Sequence, residues 1–265
     1  MLKGLYTAYT GMIQEQQRMD TLTNNLANSD TTGFKKEGLT SQSFDTVLVD
    51  KIKDGSESYY YGRRIGPANP GVKIGESYTD WSEGALQVTD IPVDMALGGK
   101  GFFTVEFTNK AGATSTMYTR DGNFQLTREG YLVTTDGDYV MGAGANGQST
   151  RIKLDPVKDF KVDGQGYISQ DGKQITRLKL TDFEDYNYLE HYGENYYYPV
   201  EGARVKDATD ARVLQGYLET SNVDIVPEMV EMISVSRQYE ANQKIIQTID
   251  TSMQIAANQL GRLNG

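Results

Sequence analysis

Residues 225–260 read IVPEMVEMISVSRQYEANQKIIQTIDTSMQIAANQL. Ile225, Met232, Tyr239, Ile246, Met253 and Leu260 recur at every seventh position, and Val235, Ile249 and Ala256 fall on the accompanying second row. A strict seven-residue repeat is the narrow seam of a helix made to pack on another helix, not the wider stripe of an ordinary globular helix. Glu228 and Asn242 are the polar exceptions on the second row. A polar residue at such a position can set register by penalising misaligned pairings, at a cost in stability. Pro227 suits a first turn and Gly261 a stop. The spacing predicts a helix from about Ile225 to Leu260, roughly 50 Å long at 1.5 Å per residue.

The N-terminus carries a matching, weaker seam. Leu5, Met12, Met19 and Leu26 form one row, while Leu2, Tyr9, Gln16 and Thr23 form the other. Neither helix can bury its stripe alone, so the two ends pair with each other, with neighbouring copies, or with both.

Charge separates the ends from the middle. The chain has 265 residues and a formal charge of -10. Residues 1–38 are neutral and residues 222–265 carry -2, which leaves -8 in between. Near-neutral helices pack side by side without strong repulsion, and an acidic middle keeps an exposed part in solution. A pI near 4.7 argues against nucleic acid, which needs clustered cations. A mean hydropathy of -0.54 suits a solvated, extended shape. The absence of cysteine excludes disulfides and thiolate metal sites. Residues 1–26 lack the layout of a cleaved signal, and no run reaches membrane-spanning length. Export without a cleaved signal peptide and no direct membrane insertion are the expectations.

From about Val88 to Phe183 the pattern becomes short alternating or apolar segments, among them Val93 to Leu97, Phe102 to Phe107 and Tyr139 to Met141. Turn pairs such as Asp121-Gly122, Asp136-Gly137, Asp163-Gly164 and Asp171-Gly172 separate them. This is an all-β region. The Gly- and Pro-rich stretch Ser56 to Gly75 reads as a long loop or irregular extension, and the run Tyr186 to Tyr198 as a surface loop or edge strand.

Motifs for chemistry are weak. Gly142-Ala143-Gly144-Ala145-Asn146-Gly147 matches a dinucleotide fingerprint as a string, but the segment after it alternates like a strand and offers no helix N-terminus to a pyrophosphate. His191 is the sole histidine and reads as a solvated loop residue, which removes multi-histidine metal sites and most histidine-dependent triads. Asp136-Gly137-Asp138 lacks the ligands of a calcium loop. No cofactor and no catalytic residue is expected. An all-β hydrolase with a carboxylate pair, or a secreted adhesin, is the alternative from another class.

The stretch Asn24-Asn25-Leu26-Ala27-Asn28-Ser29-Asp30-Thr31-Thr32-Gly33-Phe34-Lys35 resembles the N-terminal signature of the bacterial flagellar rod and hook protein family, with Asn24, Asn25, Leu26, Ala27, Asn28, Thr32, Gly33 and Phe34 as the matching positions. Similar likeness extends to Leu5 through Met12, Pro92 through Phe124, Gln215 through Val223, and Met229 through Asn242. The resemblance implies a subunit of the flagellar axis, exported unfolded by the flagellar type III apparatus and polymerised with itself and other rod and hook subunits into a helical tube. In such a tube the terminal helices form the inner wall and the β domain faces outward. Length and the Gln215 to Val223 stretch look most like the distal rod protein, with proximal rod or hook as alternatives. Phe44-Asp45-Thr46-Val47-Leu48 resembles the short motif used at the export gate, Phe44 and Leu48 being its ends.

The expected fold is α+β, with N- and C-terminal coiled-coil-type helices forming one helical domain and a central all-β domain. The expected division is 1–38 with 222–265 for the helical assembly domain, 39–87 with 207–221 for an extended connecting region, and 88–206 for the outer β domain. The seam residues expected to carry self-assembly are Leu5, Met12, Met19, Leu26, Met232, Val235, Tyr239, Asn242, Ile246, Ile249, Met253 and Leu260.

Overall fold

A computed structural model describes residues 2–50, 64–109, 112–144, 148–193 and 195–262, with side chains for all of these but 2, 50, 64–65 and 260–262. The protein is α+β: an N-terminal helix, a large β region and a C-terminal helix. It divides into two compact units, one of residues 1–26, 37–80 and 224–265, the other of residues 27–36 and 81–223. This division departs from the expected one, with no separate connecting region and with residues 81–87, 207–221 and 222–223 also in the β-rich unit. Residues 27–36 group with the β-rich unit, and residues 37–80 group with the helices.

In the first unit, α1 (Leu2–Ala27) accompanies α2 (Ile225–Arg262). Between them in sequence come β1 (Glu37–Ser43), β2 (Val47–Asp50), β3 (Arg64–Ala68) and β4 (Val72–Thr79), with β1 paired to β4 and β2 to β3. The stretch read as a loop therefore contains two strands, while its first residues, 56–63, lie outside the described part. Glycine and proline misled because β3 belongs to an isolated two-stranded ribbon, where proline loses little pairing.

α1 also differs from its predicted seam. Leu5, Met12, Met19 and Leu26 are half-buried as a row, but Tyr9, Gln16 and Thr23 are exposed. The buried positions lie one residue earlier, at Ala8, Glu15 and Leu22, with Gln14 and Asn25 beside them. The cause is a second neighbour. Thr7 donates to the Pro70 carbonyl at 3.3 Å, Gln14 donates to Ser41, and the Thr10 hydroxyl occupies the place where a Cβ on Gly71 would sit. A helix covered by strands as well as by a helix buries a broader stripe.

α2 starts where Asp224 caps it, its carboxylate accepting from the Val226 N–H at 3.3 Å. Pro227 follows in the first turn, where no donor is missed.

The second unit is built on one 13-stranded sheet among the described residues. Its central strand, Phe102–Thr108, pairs with Thr114–Thr119 along one edge and with Tyr139–Ala143 and Leu180–Phe183 along the other. Side chains alternate across it with period two. Phe103 and Val105 enter a core with Met95, Phe124, Leu132, Ile168 and Leu178, whereas Phe102 faces Tyr118, Phe183, Tyr197 and Trp81. The aromatic side is joined edge to face, Trp81–Phe102 at 5.4 Å and Tyr118–Phe183 at 4.9 Å between ring centroids.

Of the two readings of Tyr186 to Tyr198 the edge strand holds, since Leu189–Tyr192 ends the sheet order beside Tyr196–Pro199. The run forms a 3-10 turn and the strands Leu189–Tyr192 and Tyr196–Pro199, and Tyr196 and Tyr197 are buried. Asp171-Gly172 makes the expected two-residue hairpin, both residues at positive φ. Of the Gly142 to Gly147 string, 142–143 belong to a strand, and 145–147 lie outside the described residues.

Gly122 is where the backbone closes tightest, since a Cβ there would stand 1.5 Å from the Met95 carbonyl oxygen, while Gly164 faces open space. Gly122→Ala is expected to abolish the cooperative melt of the β-rich unit. Gly164→Ala should leave it within about 0.5 kcal/mol. Near-ultraviolet circular dichroism during a thermal ramp reads both.

Candidate assembly site

Beyond Ala27 the chain turns on its own polar side chains. Gly33 adopts φ +68°, and a Cβ there would lie 2.5 Å from the Asp121 nitrogen, so only glycine fits this approach. Its N–H donates to the Glu219 carbonyl at 2.8 Å. Thr32 donates to Asp121 at 2.6 Å, and Asn195 donates to the Thr32 carbonyl at 2.6 Å. Burial raises the Asp121 pKa against the opposing bonds from Thr32 and the Asn123 N–H. Phe34 is buried with its ring edge-on to His191 at 6.5 Å. His191 is thus a half-buried strand residue between Phe34 and Tyr197, not a solvated loop residue, because the tyrosine run around it is part of the sheet.

Lys35 completes this docking. Its ammonium lies 2.5 Å from Glu219 Oε1 and donates to the Ser82 carbonyl at 2.7 Å, and both ionic side chains are 1% exposed. Arg120 approaches the other carboxylate oxygen at 3.4 Å and donates to the Gly99 carbonyl at 2.8 Å. The Gly84 N–H adds a bond to Glu219 at 3.0 Å. Burial lowers the Lys35 pKa, and Glu219 opposes that shift. One carboxylate therefore holds two cations and an N–H, a geometry that offsets the cost of taking charges out of water only because every partner is in place. Asn222 accepts from the Lys36 N–H at 2.7 Å and donates to the Ser82 side chain at 3.0 Å, so the segment before α2 is tied to the same place.

In the first unit, Asn25 is fully buried. Its amide donates to the Glu37 carbonyl at 2.8 Å and accepts from the Glu37 N–H at 3.0 Å, and it reaches buried Glu228 at 3.4 Å. Arg18 binds Glu231 at 2.6 Å. A Cβ on Gly11 would stand 3.0 Å from the Asn242 amide, and one on Gly4 would stand 3.7 Å from Ile249. As the α1 positions rise from Gly4 through Gly11 and Arg18 to Asn25, their α2 partners fall from Ile249 through Asn242 and Glu231 to Glu228, so the helices run antiparallel.

On α2, Val235 is buried, and Met232, Tyr239, Asn242, Ile246, Ile249 and Met253 are half-buried on one face. The side chain of Leu260 lies outside the described ones. Of the signature positions, Asn25, Gly33 and Phe34 are buried, Leu26, Asn28 and Thr32 half-buried, and Asn24 and Ala27 exposed. Phe44 is half-buried and Leu48 exposed, beside Tyr6 and Pro70.

Sequence reading missed Lys35, Arg120, Glu219 and Asn222 as a cluster. Each stands next to or within a quoted motif, yet periodicity reports faces of single elements and carries nothing about a contact across 184 positions. The signal that was available is a lone charge in an apolar strand context, as in Tyr217-Leu218-Glu219.

Three family models match successive parts of the chain: residues 5–35 the flagella basal body rod protein, residues 96–173 the D1 domain of the flagellar hook protein FlgE/F/G, and residues 214–260 the C-terminal part of the flagellar basal body rod FlgEFG protein. The flagellar basal-body rod protein FlgG of Caulobacter vibrioides is 32% identical over 275 residues, covering 98% of this chain and 99% of that one. The chain belongs to the flagellar basal-body rod protein family. FlgG of Bacillus subtilis is 33% identical over 97% of this chain and 99% of its own, and FlgF of Caulobacter vibrioides 30% identical over 100% of both. Lys35, Arg120 and Glu219 fall one in each of the three matched stretches, so the ionic cluster joins all the parts by which this rod-family chain is recognised.

Removing Glu219 leaves two buried cations without their anion. Glu219→Ala is expected to destabilise the β-rich unit by about 3–5 kcal/mol. Lys35→Met should cost less, because Arg120 still neutralises Glu219. Urea unfolding of the two variants gives the ranking, and a reversed order would mean that the carboxylate is not the centre of the cluster.

Proposed function

We propose that this chain is a structural subunit of the bacterial flagellar basal-body rod, which polymerises with itself and with other rod and hook subunits into a helical tube that transmits torque from motor to hook. The observation that carries this is the end-to-end match to basal-body rod proteins, including both terminal helices. The helices supply assembly surfaces through the seam residues Leu5, Met12, Met19, Leu26, Met232, Val235, Tyr239, Asn242, Ile246, Ile249, Met253 and Leu260, while the acidic β-rich unit stays solvated. The protein does structural work and no catalysis.

Within the family, the length and the Gln215 to Val223 stretch favour a distal rod subunit. A proximal rod or hook subunit of the same family is the second reading. Export proceeds through the flagellar type III apparatus without a cleaved signal, with Phe44 and Leu48 as the contact at its gate. No helix among the described residues is long and apolar enough to cross a membrane.

Because residues 222 and 223 belong to the β-rich unit, the separating deletion is 224–265. Its loss is expected to abolish incorporation into the flagellar axis and motility, while the β-rich unit keeps its cooperative melt. Ile246→Asp with Ile249→Asp should do the same, since unpaired charges on a packing face cost on the order of several kcal/mol. A motility assay beside circular dichroism reads both effects. Motility surviving either change would place the function in the β-rich unit.

A further inference from the structure

α2 has a second apolar stripe on the face away from α1. Val226, Met229, Val230 and Ile233 lie on one face through the three- and four-residue spacings 226/229, 226/230, 229/233 and 230/233, and are 48–69% exposed. The face toward α1 is a different one, through Glu228, Val235, Asn242 and Ile249. The outer stripe continues into a groove of about 380 Å³ lined by Val230, Ile233, Ser234, Arg237, Gln238 and Ala241. On α1 an outer stripe of Tyr6, Tyr9 and Ile13 is likewise exposed, with exposed Lys3 one turn before Tyr6.

We infer that the α2 groove receives the Lys3–Ile13 face of α1 from a second copy of this chain, in one register. The inference rests on the rod reading and names the surface by which copies meet. In an assembly that repeats along its helices, a neighbour's α1 runs antiparallel to this α2, as α1 does within the chain. Charge then selects the register. With Lys3 of the neighbour beside Glu240, Tyr6 lies over Arg237, a cation–π pairing, and Tyr9 and Ile13 meet Ile233 and Val230. A slip of one turn either way keeps apolar residues facing but sets Lys3 against Arg237 or Lys244, which like-charge repulsion penalises.

Two experiments test it. Lys3→Glu and Glu240→Lys are each expected to reduce incorporation into basal bodies several-fold, roughly up to fivefold at low salt, and the double reversal to restore it. A double variant no better than the worse single one would overturn the pairing. Because the chain has no cysteine, Ile13→Cys in one tagged copy and Val230→Cys in another can be co-expressed and oxidised in purified basal bodies. A cross-linked dimer bearing both tags is expected. Both tagged copies present in basal bodies without that dimer would overturn the register and leave the rod reading standing. Both copies missing from basal bodies of motile cells would defeat the rod reading and this inference with it.

Discussion

Within the β-rich unit, the segment 27–36, the strand leading to Arg120 and the strand ending at Glu219 converge on the carboxylate of Glu219. A carboxylate that is 1% exposed is tolerable only with full compensation, and the compensation comes from Lys35, Arg120 and the Gly84 N–H, which are far apart in sequence. The network therefore forms only when the segment after α1, the strand leading to Arg120 and the strand ending at Glu219 have all arrived. Gly33 and Gly122 are the backbone side of the same constraint, since each lets one of these segments approach to a distance that a Cβ would forbid.

The two units solve the burial problem in opposite ways. In the β-rich unit the buried Glu219 carboxylate finds its partners within the chain, and large aromatics fill both faces of the central strand. The helical unit buries polar residues, Gln14, Glu15, Asn25 and Glu228, at its centre and leaves valine, isoleucine, methionine and tyrosine outside. That inversion is costly for an isolated monomer and economical for a part that is completed by neighbours.

The elements legible in the sequence are those set by local repetition. The heptads of α2 located the helix and the face on which Val235, Tyr239 and Ile246 lie, and Asp171-Gly172 located its hairpin, because each follows from backbone period or from φ at a single turn. The face of α1 was displaced by one residue because its second neighbour, the β1–β4 ribbon, is remote in sequence. The Tyr186 to Tyr198 run could be read only as a surface loop or an edge strand, because a run of tyrosines and charges has no apolar period, and the pairing with Thr114–Thr119 that buries Tyr196 and Tyr197 is remote in sequence. The ionic cluster could not be foreseen as a cluster, since nothing local links position 35 to position 219.

The central claim is that the β-rich unit is complete in one chain, whereas the helices are completed by other copies. Amide hydrogen exchange on the full chain, in dilute solution and in the assembled axis, tests it most directly. The account predicts that amides around Phe102–Val105 and Gly33–Lys35 exchange slowly in both states, and that α1 and α2 become slow only on assembly. Helices as protected in the dilute monomer as in the assembly would contradict it.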